Sequence, residues 1–476
     1  MKFVRRLSVA CGRVCNTATS QRTGAETRAA SLALVLALTA PVVHAQASGF
    51  SAATPSIAPT ASIPTEIPGP ALGADEAVRI AVARSQRIVA NTALIEASRD
   101  RAIAAATRPD PVFTTGLQAV PFTGPDRGKL HNDNFTMTAF GIKQELTSRD
   151  KLAARADRYA REAESGAAAQ SLSVVEIARD TRLAWLTCSY LESTAGLLND
   201  ASREVAHHIE AVDAAYRGGR GTQGESIAIR TELERIADRS RLNVRDLAVA
   251  RARLARWVGE AAERPLSQRA PFEGRPELTE TQTALQRRLE AHPALKRLAA
   301  QEASAQAEAE MARTERSADW SVELAVGLRR PTYSNLGTIN FSIPITWNRA
   351  ERQDREWAAR RAEVDAAGAE LEEARRVAVS DLRAASDAWQ HDRKRLARYD
   401  DAFIPLATER SSAALAAWRG GAGTLASVLD ARHAEIETRL DQLKLERELA
   451  ETAVQLDYWL AADGRGAGIG RSSGER

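Results

Sequence analysis

Apolar residues recur at helical spacing along a stretch far longer than an ordinary helix. Residues 150–216 contain no proline and are rich in Ala, Arg, Glu and Leu. A helix over this range would be on the order of 100 Å long, where a globular protein averages about a dozen residues per helix. Its apolar positions follow the gaps of seven, four and three typical of a coiled-coil seam: Leu191, Leu198, Val205, Ile209, Val212 and Tyr216.

The same pattern predicts three further helices. A second long helix is expected over residues 348–418, with an interruption at Pro405 because proline cannot donate the helical hydrogen bond. Shorter helices are expected after each long one, up to residue 257 and over residues 425–460.

Apolar and polar residues alternate with a period of two in four shorter stretches. The alternation is clearest over residues 320–330 and 336–347 and less regular over residues 112–122 and 134–146. Each stretch is about as long as a tilted strand that crosses a bilayer. Four strands cannot close a barrel, because the smallest single-chain barrels have about eight, so several chains would have to share one. Aromatic residues lie near the strand ends, as membrane girdles require: Phe113, Phe135, Trp320 and Trp347.

The chain contains two copies of one unit in tandem. The segment from Tyr216 to Thr222 (YRGGRGT) recurs as WRGGAGT from Trp418 to Thr424, 202 positions later. We therefore expect a first repeat over residues 71–264, a linker over 265–277, a second repeat over 278–463 and a disordered tail over 464–476. Each repeat would run as helix, strand pair, very long helix, glycine-rich turn and long helix.

The patterns leave two other arrangements open for a mostly helical chain with a small β part. The strands could form a water-soluble sheet packed on the helices, and the helices could form a coiled-coil rod or scaffold without a pore. Pro344 lies inside an alternating run and is best tolerated at a sheet edge or a bulge.

The start of the chain is typical of an exported protein. A basic start, an apolar run and a small-residue site ending at Ala45 predict a signal peptide over residues 1–45, and residues 46–70 are predicted to be a flexible leader. No later apolar stretch reaches the ~18 residues of a membrane-spanning helix, so a membrane would be crossed by strands. The mature chain keeps only Cys188, which excludes a disulfide framework.

Charge and motifs exclude several classes of function. The net charge of +3 is spread over interspersed acids and bases, which gives no indication of nucleic-acid binding. No nucleophile and base pattern, phosphate loop or zinc signature is present, so we expect neither an enzyme nor a cofactor. No metal site is predicted from the histidines. His207 and His208 are adjacent and neither has a second ligand at i+4, His292 precedes Pro293, and His391 and His433 stand alone.

The tandem copies, the strand pairs and the glycine turns together resemble the TolC-like outer membrane factor family, over about residues 72–462. The most specific match is the segment from Trp418 to Ala431 (WRGGAGTLASVLDA), which is similar to the family's aromatic-x-x-Gly-x-x-Thr-x-x-x-Val-Leu-Asp-Ala pattern. The segments DWSV at 319–322 and SIPI at 342–345 resemble the heavy-metal efflux branch of the CzcC and CusC type.

The resemblance implies a homotrimer in the outer membrane that extends into the periplasm. Three sets of four strands would form one twelve-stranded barrel in the lipid, and long helical hairpins would form a periplasmic α-barrel. Such proteins are passive exit ducts of tripartite efflux pumps, joined through a periplasmic adaptor (membrane fusion) protein to an inner-membrane RND-type transporter. A heavy-metal cargo is expected from the branch, and a drug-efflux or type I secretion duct is the alternative.

The resemblance also assigns roles to the two glycine turns. Gly218, Gly219, Gly420 and Gly421 would form the periplasmic tip and contact the adaptor, although simple reversal of the chain would explain these glycines equally well. The aromatic residues Tyr216 and Trp418 would pack the turns. Glu225 and Ser427 would line the gate, and Glu225 would favour cations there.

Overall fold

The computed structural model describes residues 70–130, 134–219, 221–267 and 287–461. The predicted signal peptide, nearly all of the leader, the tail and most of the linker lie outside these residues. The described residues contain eight helices longer than ten residues: α1 (Ala74–Arg84), α2 (Gln86–Ala105), α3 (Arg149–Arg217), α4 (Gln223–Val258), α5 (Pro293–Thr314), α6 (Gln353–Arg398), α7 (Ile404–Arg419) and α8 (Leu425–Leu460).

Helix α3 confirms the prediction of one very long helix and runs without a break for 69 residues. The Ser148 hydroxyl caps its start by accepting a hydrogen bond from the Lys151 backbone N–H, and Asp150 lies in the first turn, where a negative charge favours the helix dipole. The helix ends at Arg217, where the glycines begin.

The second long helix is interrupted, and it starts later than predicted. Residues 348–352 form turns, so α6 begins at Gln353. A π-helical turn, Tyr399–Phe403, then separates α6 from α7. In this turn the Ile404 backbone N–H donates to the Tyr399 carbonyl, five residues back. The turn ends two residues before Pro405, which has no N–H to donate. The helical hydrogen bonds therefore change from i→i−4 to i→i−5 where the sequence predicts an interruption.

The four strands form one antiparallel sheet in the order β1 (Val112–Gln118), β2 (Met137–Leu146), β3 (Trp320–Leu328) and β4 (Leu336–Ser342). Three of the strands are clearly shorter than the predicted stretches. Strand β1 ends before Ala119, whose φ of 56° leaves the extended region. Strand β4 ends two residues before Pro344, which cannot donate a ladder hydrogen bond.

Buried clusters along the helices hold the two repeats together. One of them surrounds Leu72, Cys188 and Leu254, all fully buried. The Trp185 indole N–H donates to the Leu72 carbonyl at 2.8 Å, which ties the start of the described chain to α3. Burial raises the pKa of the Cys188 thiol to about 11, so this cysteine stays protonated and acts as a core residue.

The helices directly before the strand pair of each repeat, α2 and α5, are capped by different residues. In α2 the Ser85 hydroxyl accepts a hydrogen bond from the Ile88 N–H. In α5 the cap is His292, whose Nδ1 accepts from the Ala294 N–H at 3.2 Å while Nε2 lies 2.9 Å from the Tyr458 carbonyl of α8. Burial lowers the pKa of His292 to about 4, so the ring is neutral at physiological pH and Nε2 carries the proton that it donates.

Candidate functional site

The first glycine turn reverses the chain between α3 and α4. The Gly218 and Gly219 backbone N–H groups donate to the carbonyls of Ala214 and Tyr216, which closes the end of α3. Gly219 has a φ of 71°, in the left-handed region that costs residues with a side chain roughly 1–2 kcal/mol. Thr222 then caps the start of α4.

The second turn repeats this backbone between α7 and α8. Gly420 and Gly421 donate to Ala416 and Trp418, the counterparts of the acceptors in the first turn, and Gly421 has a φ of 74°. Thr424 caps α8 by accepting from the Ser427 N–H. Side chains of α3, α4, α7 and α8 meet in one buried cluster next to the turns, so the two helical hairpins end side by side.

The two aromatic residues predicted to pack the turns behave differently within one chain. Trp418 is half-buried and packs against the buried cluster that the two hairpins share. Tyr216 leaves 49% of its surface exposed. Within one chain only the second turn is therefore packed by its aromatic residue.

Glu225 and Ser427 occupy equivalent positions in the first turns of α4 and α8. The Glu225 carboxylate accepts from the Thr222 backbone N–H at 2.8 Å, while the Thr222 hydroxyl accepts from the Glu225 N–H at 3.2 Å. This reciprocal pair is a capping box. Ser427 cannot complete one, and its hydroxyl donates to the Thr424 carbonyl instead. Glu225 therefore has a structural role at the start of α4.

A buried polar network lies farther along the second hairpin. The Glu435 carboxylate is 4% exposed and accepts from the hydroxyls of Ser411 at 2.5 Å and Thr408 at 3.0 Å. Arg432 and Arg439 each approach it to 2.8 Å. Burial raises the pKa of Glu435, but these hydrogen bonds and the two arginines outweigh burial, so the pKa lies below its ordinary value.

The same stretch of α8 connects the two hairpins by an ion pair and a hydrogen-bond contact. Arg432 also reaches Glu204 of α3 at 2.5 Å, and His433 Nδ1 lies 3.3 Å from the buried Glu232 of α4. Sequence reasoning missed this stretch. Comparing the two copies at their offset of 202 would have revealed it, because Ser411 and Glu435 are polar where the first copy has apolar residues.

The two faces of the sheet differ sharply in chemistry. Residues paired across the strands share a face, and one face carries large apolar side chains and no charge, such as the row Phe113, Ile142, Leu324 and Ile339. The other face carries small and polar residues, such as the row Thr114, Gly141, Ala325 and Thr338.

On the two inner strands, β2 and β3, the apolar face is the more exposed one. Phe341, Ile339 and Phe113 leave 68%, 64% and 64% of their surfaces exposed, whereas Gly141 and Ala139 on the other face are buried. A water-soluble sheet packed on the helices would bury its apolar face, so that alternative is wrong for the single chain. Exposed apolar surface of this size marks a site of contact with lipid or protein.

Among the described helices, none combines the length and the apolar composition needed to span a membrane. Within the described part of the chain, no group of three or more His, Cys, Asp or Glu side chains is arranged to hold a metal ion.

Several solved structures share this architecture. CusC, which forms a transmembrane channel, matches with a TM-score of 0.69 and 13% identity, covering 82% of this chain and 92% of its own. The outer membrane protein VceC from Vibrio cholerae matches with a TM-score of 0.67 and 14% identity, covering 82% and 96%. The CmeC outer membrane channel from Campylobacter jejuni matches with a TM-score of 0.69 and 12% identity, covering 84% and 87%.

The fold is therefore that of the TolC-like outer membrane channels, and the solved structures that share it are channel proteins rather than enzymes. No protein-family model matches the sequence, and no curated protein sequence is significantly similar to it. CusC and CmeC match with equal TM-scores, so the fold does not single out either of these channels.

Proposed function

We propose that this protein is one subunit of an outer-membrane channel. The observation that carries the proposal is a sheet with one exposed face that is apolar and uncharged, and a polar face that is the more buried one on the inner strands β2 and β3. Such a sheet is suited to lipid on one side and water on the other. Strands β1 and β4 each have one unpaired edge, and three copies joined edge to edge give a twelve-stranded barrel without free edges.

The long helices are the periplasmic part of the same channel. α3, at 69 residues, is on the order of 100 Å long, enough to carry a tunnel far from the lipid. The side-by-side turns would form its tip, where Gly218, Gly219, Gly420 and Gly421 contact a periplasmic adaptor that connects to an RND-type inner-membrane transporter. Glu225 and Ser427 would line the gate of this homotrimer, which conducts passively while the transporter supplies the energy.

The membrane part of the proposal is tested by two neighbouring positions on opposite faces of β4. Ile339→Lys places a charge on the apolar face and should abolish insertion, since lysine near the bilayer midplane costs about 2–4 kcal/mol. Thr338→Lys places the same charge on the polar face and should still insert. Detergent extraction, a trimer on native gels and conductance steps in planar bilayers are the readouts. Recovery of wild type as a water-soluble protein without conductance would contradict the proposal.

Heavy-metal cations are the proposed cargo, supported by the resemblance of residues 319–322 and 342–345 to that efflux branch. A deletion strain should become sensitive to divalent heavy metals and recover with a plasmid copy. Sensitivity to hydrophobic drugs alone, or loss of a secreted protein, would favour a drug-efflux or type I secretion duct instead.

A further inference from the structure

The polar face of the sheet carries three charged residues within the strands. Lys143, Glu323 and Asn340 lie in one row across β2, β3 and β4, and Glu145 lies in the next row, opposite Ser321. The face therefore carries one positive and two negative side chains per chain. In a channel of the proposed kind this face borders the water-filled conduit, so these charges act on passing ions.

Glu323 is held in place by neutral groups from two other strands. One carboxylate oxygen accepts from the Thr114 hydroxyl of β1 at 3.2 Å, and the other lies 3.5 Å from the Asn340 amide nitrogen of β4. Because neither neighbour is charged, these contacts fix the position of the carboxylate without neutralising it.

Gly141 makes the contact with Thr114 possible. Strand β2 lies between β1 and β3, and a Cβ on Gly141 would come within 2.6 Å of the Thr114 hydroxyl oxygen and 3.3 Å of a Glu323 oxygen. The missing side chain leaves a gap in β2 through which the two groups meet. Three strands therefore position one carboxylate.

Lys143 is the direct cross-strand partner of Glu323 and remains exposed. Among the described residues, the Glu323 oxygens contact Thr114 and Asn340 and form no ion pair with this lysine. In the conduit, the Glu323 carboxylate therefore attracts cations and the Lys143 ammonium group repels them.

We propose that Glu323 is a specificity-determining residue that makes the strand-lined section of the channel prefer cations, with Lys143 reducing that preference. The inference rests on the proposed channel function and concerns the barrel, a section distinct from the tip where Glu225 lies. Three copies would place three Glu323 carboxylates around one conduit. Across water, the Coulomb attraction of a single carboxylate for a cation is weak, but the attractions of three carboxylates in a ring add together.

Paired substitutions of opposite sign test the inference. The full mature protein, carrying Glu323→Gln or Lys143→Gln, is reconstituted in planar bilayers under a KCl gradient, and the K⁺ to Cl⁻ permeability ratio is obtained from the reversal potential. Glu323→Gln should lower the ratio roughly twofold or more, and Lys143→Gln should raise it, because each removes one charge of known sign. Both changes should shrink as ionic strength rises and the Debye length falls from about 30 Å at 0.01 M to about 10 Å at 0.1 M.

Glu96→Gln, an exposed carboxylate on α2, is the matched control and should leave the ratio unchanged. Glutamine keeps the size and the acceptor oxygen of Glu323, so Thr114 still has a partner, and trimer yield reports folding. Wild type that conducts while both strand variants match it would overturn the inference and leave the channel function intact. Wild type that inserts but never conducts would overturn both.

Discussion

The two helical hairpins share a backbone but differ in the chemistry between their helices. Gly219 and Gly421 have nearly equal positive φ angles, and Thr222 and Thr424 cap the following helices in the same way. A glycine with positive φ and a threonine cap, at the same spacing, therefore reverse the chain direction in both hairpins. The backbone of each turn is determined by its own glycine and threonine, and the side chains around the turn differ between the two copies.

Beyond the turns, polar and apolar positions are exchanged between the copies. In the first hairpin Asp213 accepts from Ser226 at 2.9 Å, and the equivalent positions of the second hairpin are Leu415 and the buried Val428. Farther from the tip, one helical turn along α3 and two along α4, the relation reverses. There the first hairpin has Ile209 and Leu233, both part of the shared apolar cluster, where the second has the buried pair Ser411 and Glu435.

This difference shows that one repeat can have a buried charged side chain at a position where the other repeat has an apolar side chain. A buried carboxylate is tolerated only when its hydrogen-bond capacity is filled. The second hairpin provides two hydroxyls and two arginines for this purpose, and Arg432 extends the network to the first hairpin through Glu204. At these two positions the second hairpin thus depends on specific polar partners where the first depends on apolar packing.

The largest expected effect comes from making the second hairpin resemble the first at this depth. Glu435→Leu should destabilise the protein by about 3 kcal/mol, because it leaves two arginines and two hydroxyls without their acceptor. Arg432 retains Glu204, which keeps the loss at the lower end of the range for broken buried ion pairs. The measurement is the free energy of unfolding of detergent-solubilised protein, followed by circular dichroism at 222 nm.

Glu435→Gln is the matched control for this variant. It keeps one of the two acceptor oxygens, replaces the other by an amide group that donates, and removes the charge, so it should cost less than the leucine variant. Equal stability of Glu435→Leu and wild type would show that the network contributes nothing and would break the contrast between the hairpins.

The next largest effect concerns the caps of α2 and α5, where the first repeat uses Ser85 and the second uses His292. In the unfolded chain His292 titrates near its ordinary pKa of 6.5, and in the folded chain near 4. The unfolded state therefore binds more protons between these values, and stability is complete above pH 6.5 and falls as the pH drops toward 4. From pH 7 to pH 5 the loss attributable to this residue should be about 2 kcal/mol.

His292→Ser gives the second repeat the cap of the first and should remove this contribution to the pH dependence. The comparison uses the slope of unfolding free energy against pH rather than stability at one pH, because the serine also loses the contact with Tyr458. A variant whose slope between pH 7 and 5 matches wild type would contradict the assignment to His292.

The sequence predicted those features of the fold that depend on residues close together along the chain. The unbroken α3 follows from its lack of proline, and the interruption before Pro405 follows from the missing N–H. The early end of β1 depends on the backbone of Ala119, which no sequence pattern indicates. The role of Glu435 follows only in part from its own helix, where Arg432 and Arg439 lie, because its partners Thr408 and Ser411 lie on α7. Exposure of Tyr216 likewise depends on what packs against the turn.

A smaller and equal effect is expected at the two turn glycines. Gly219→Ala and Gly421→Ala should each cost about 1–2 kcal/mol, because both have positive φ and a new Cβ would meet nothing within 4 Å. The cost is therefore one of backbone conformation alone. Gly420→Ala, at a φ of −77°, is the control and should cost clearly less. Unequal costs at Gly219 and Gly421, measured by thermal melting, would mean that the turns are not equivalent.

The smallest effect comes from giving the second turn the cap that only the first possesses. Ser427→Glu should complete a capping box with Thr424, as Glu225 does with Thr222, and place a negative charge at the positive end of the α8 dipole. We expect a gain of about 0.5 kcal/mol, seen as a slightly higher melting temperature.

Ser427→Gln separates the two contributions to that gain, because glutamine can complete the box without a charge. The glutamate variant should exceed the glutamine variant at low salt and converge with it at high salt, since screening removes the dipole term but not the hydrogen bond. A glutamate variant less stable than wild type would mean that this position faces other carboxylates in the assembled protein. Three copies of this glutamate would then repel one another, and the serine in the second turn would have a physical cause outside the single chain.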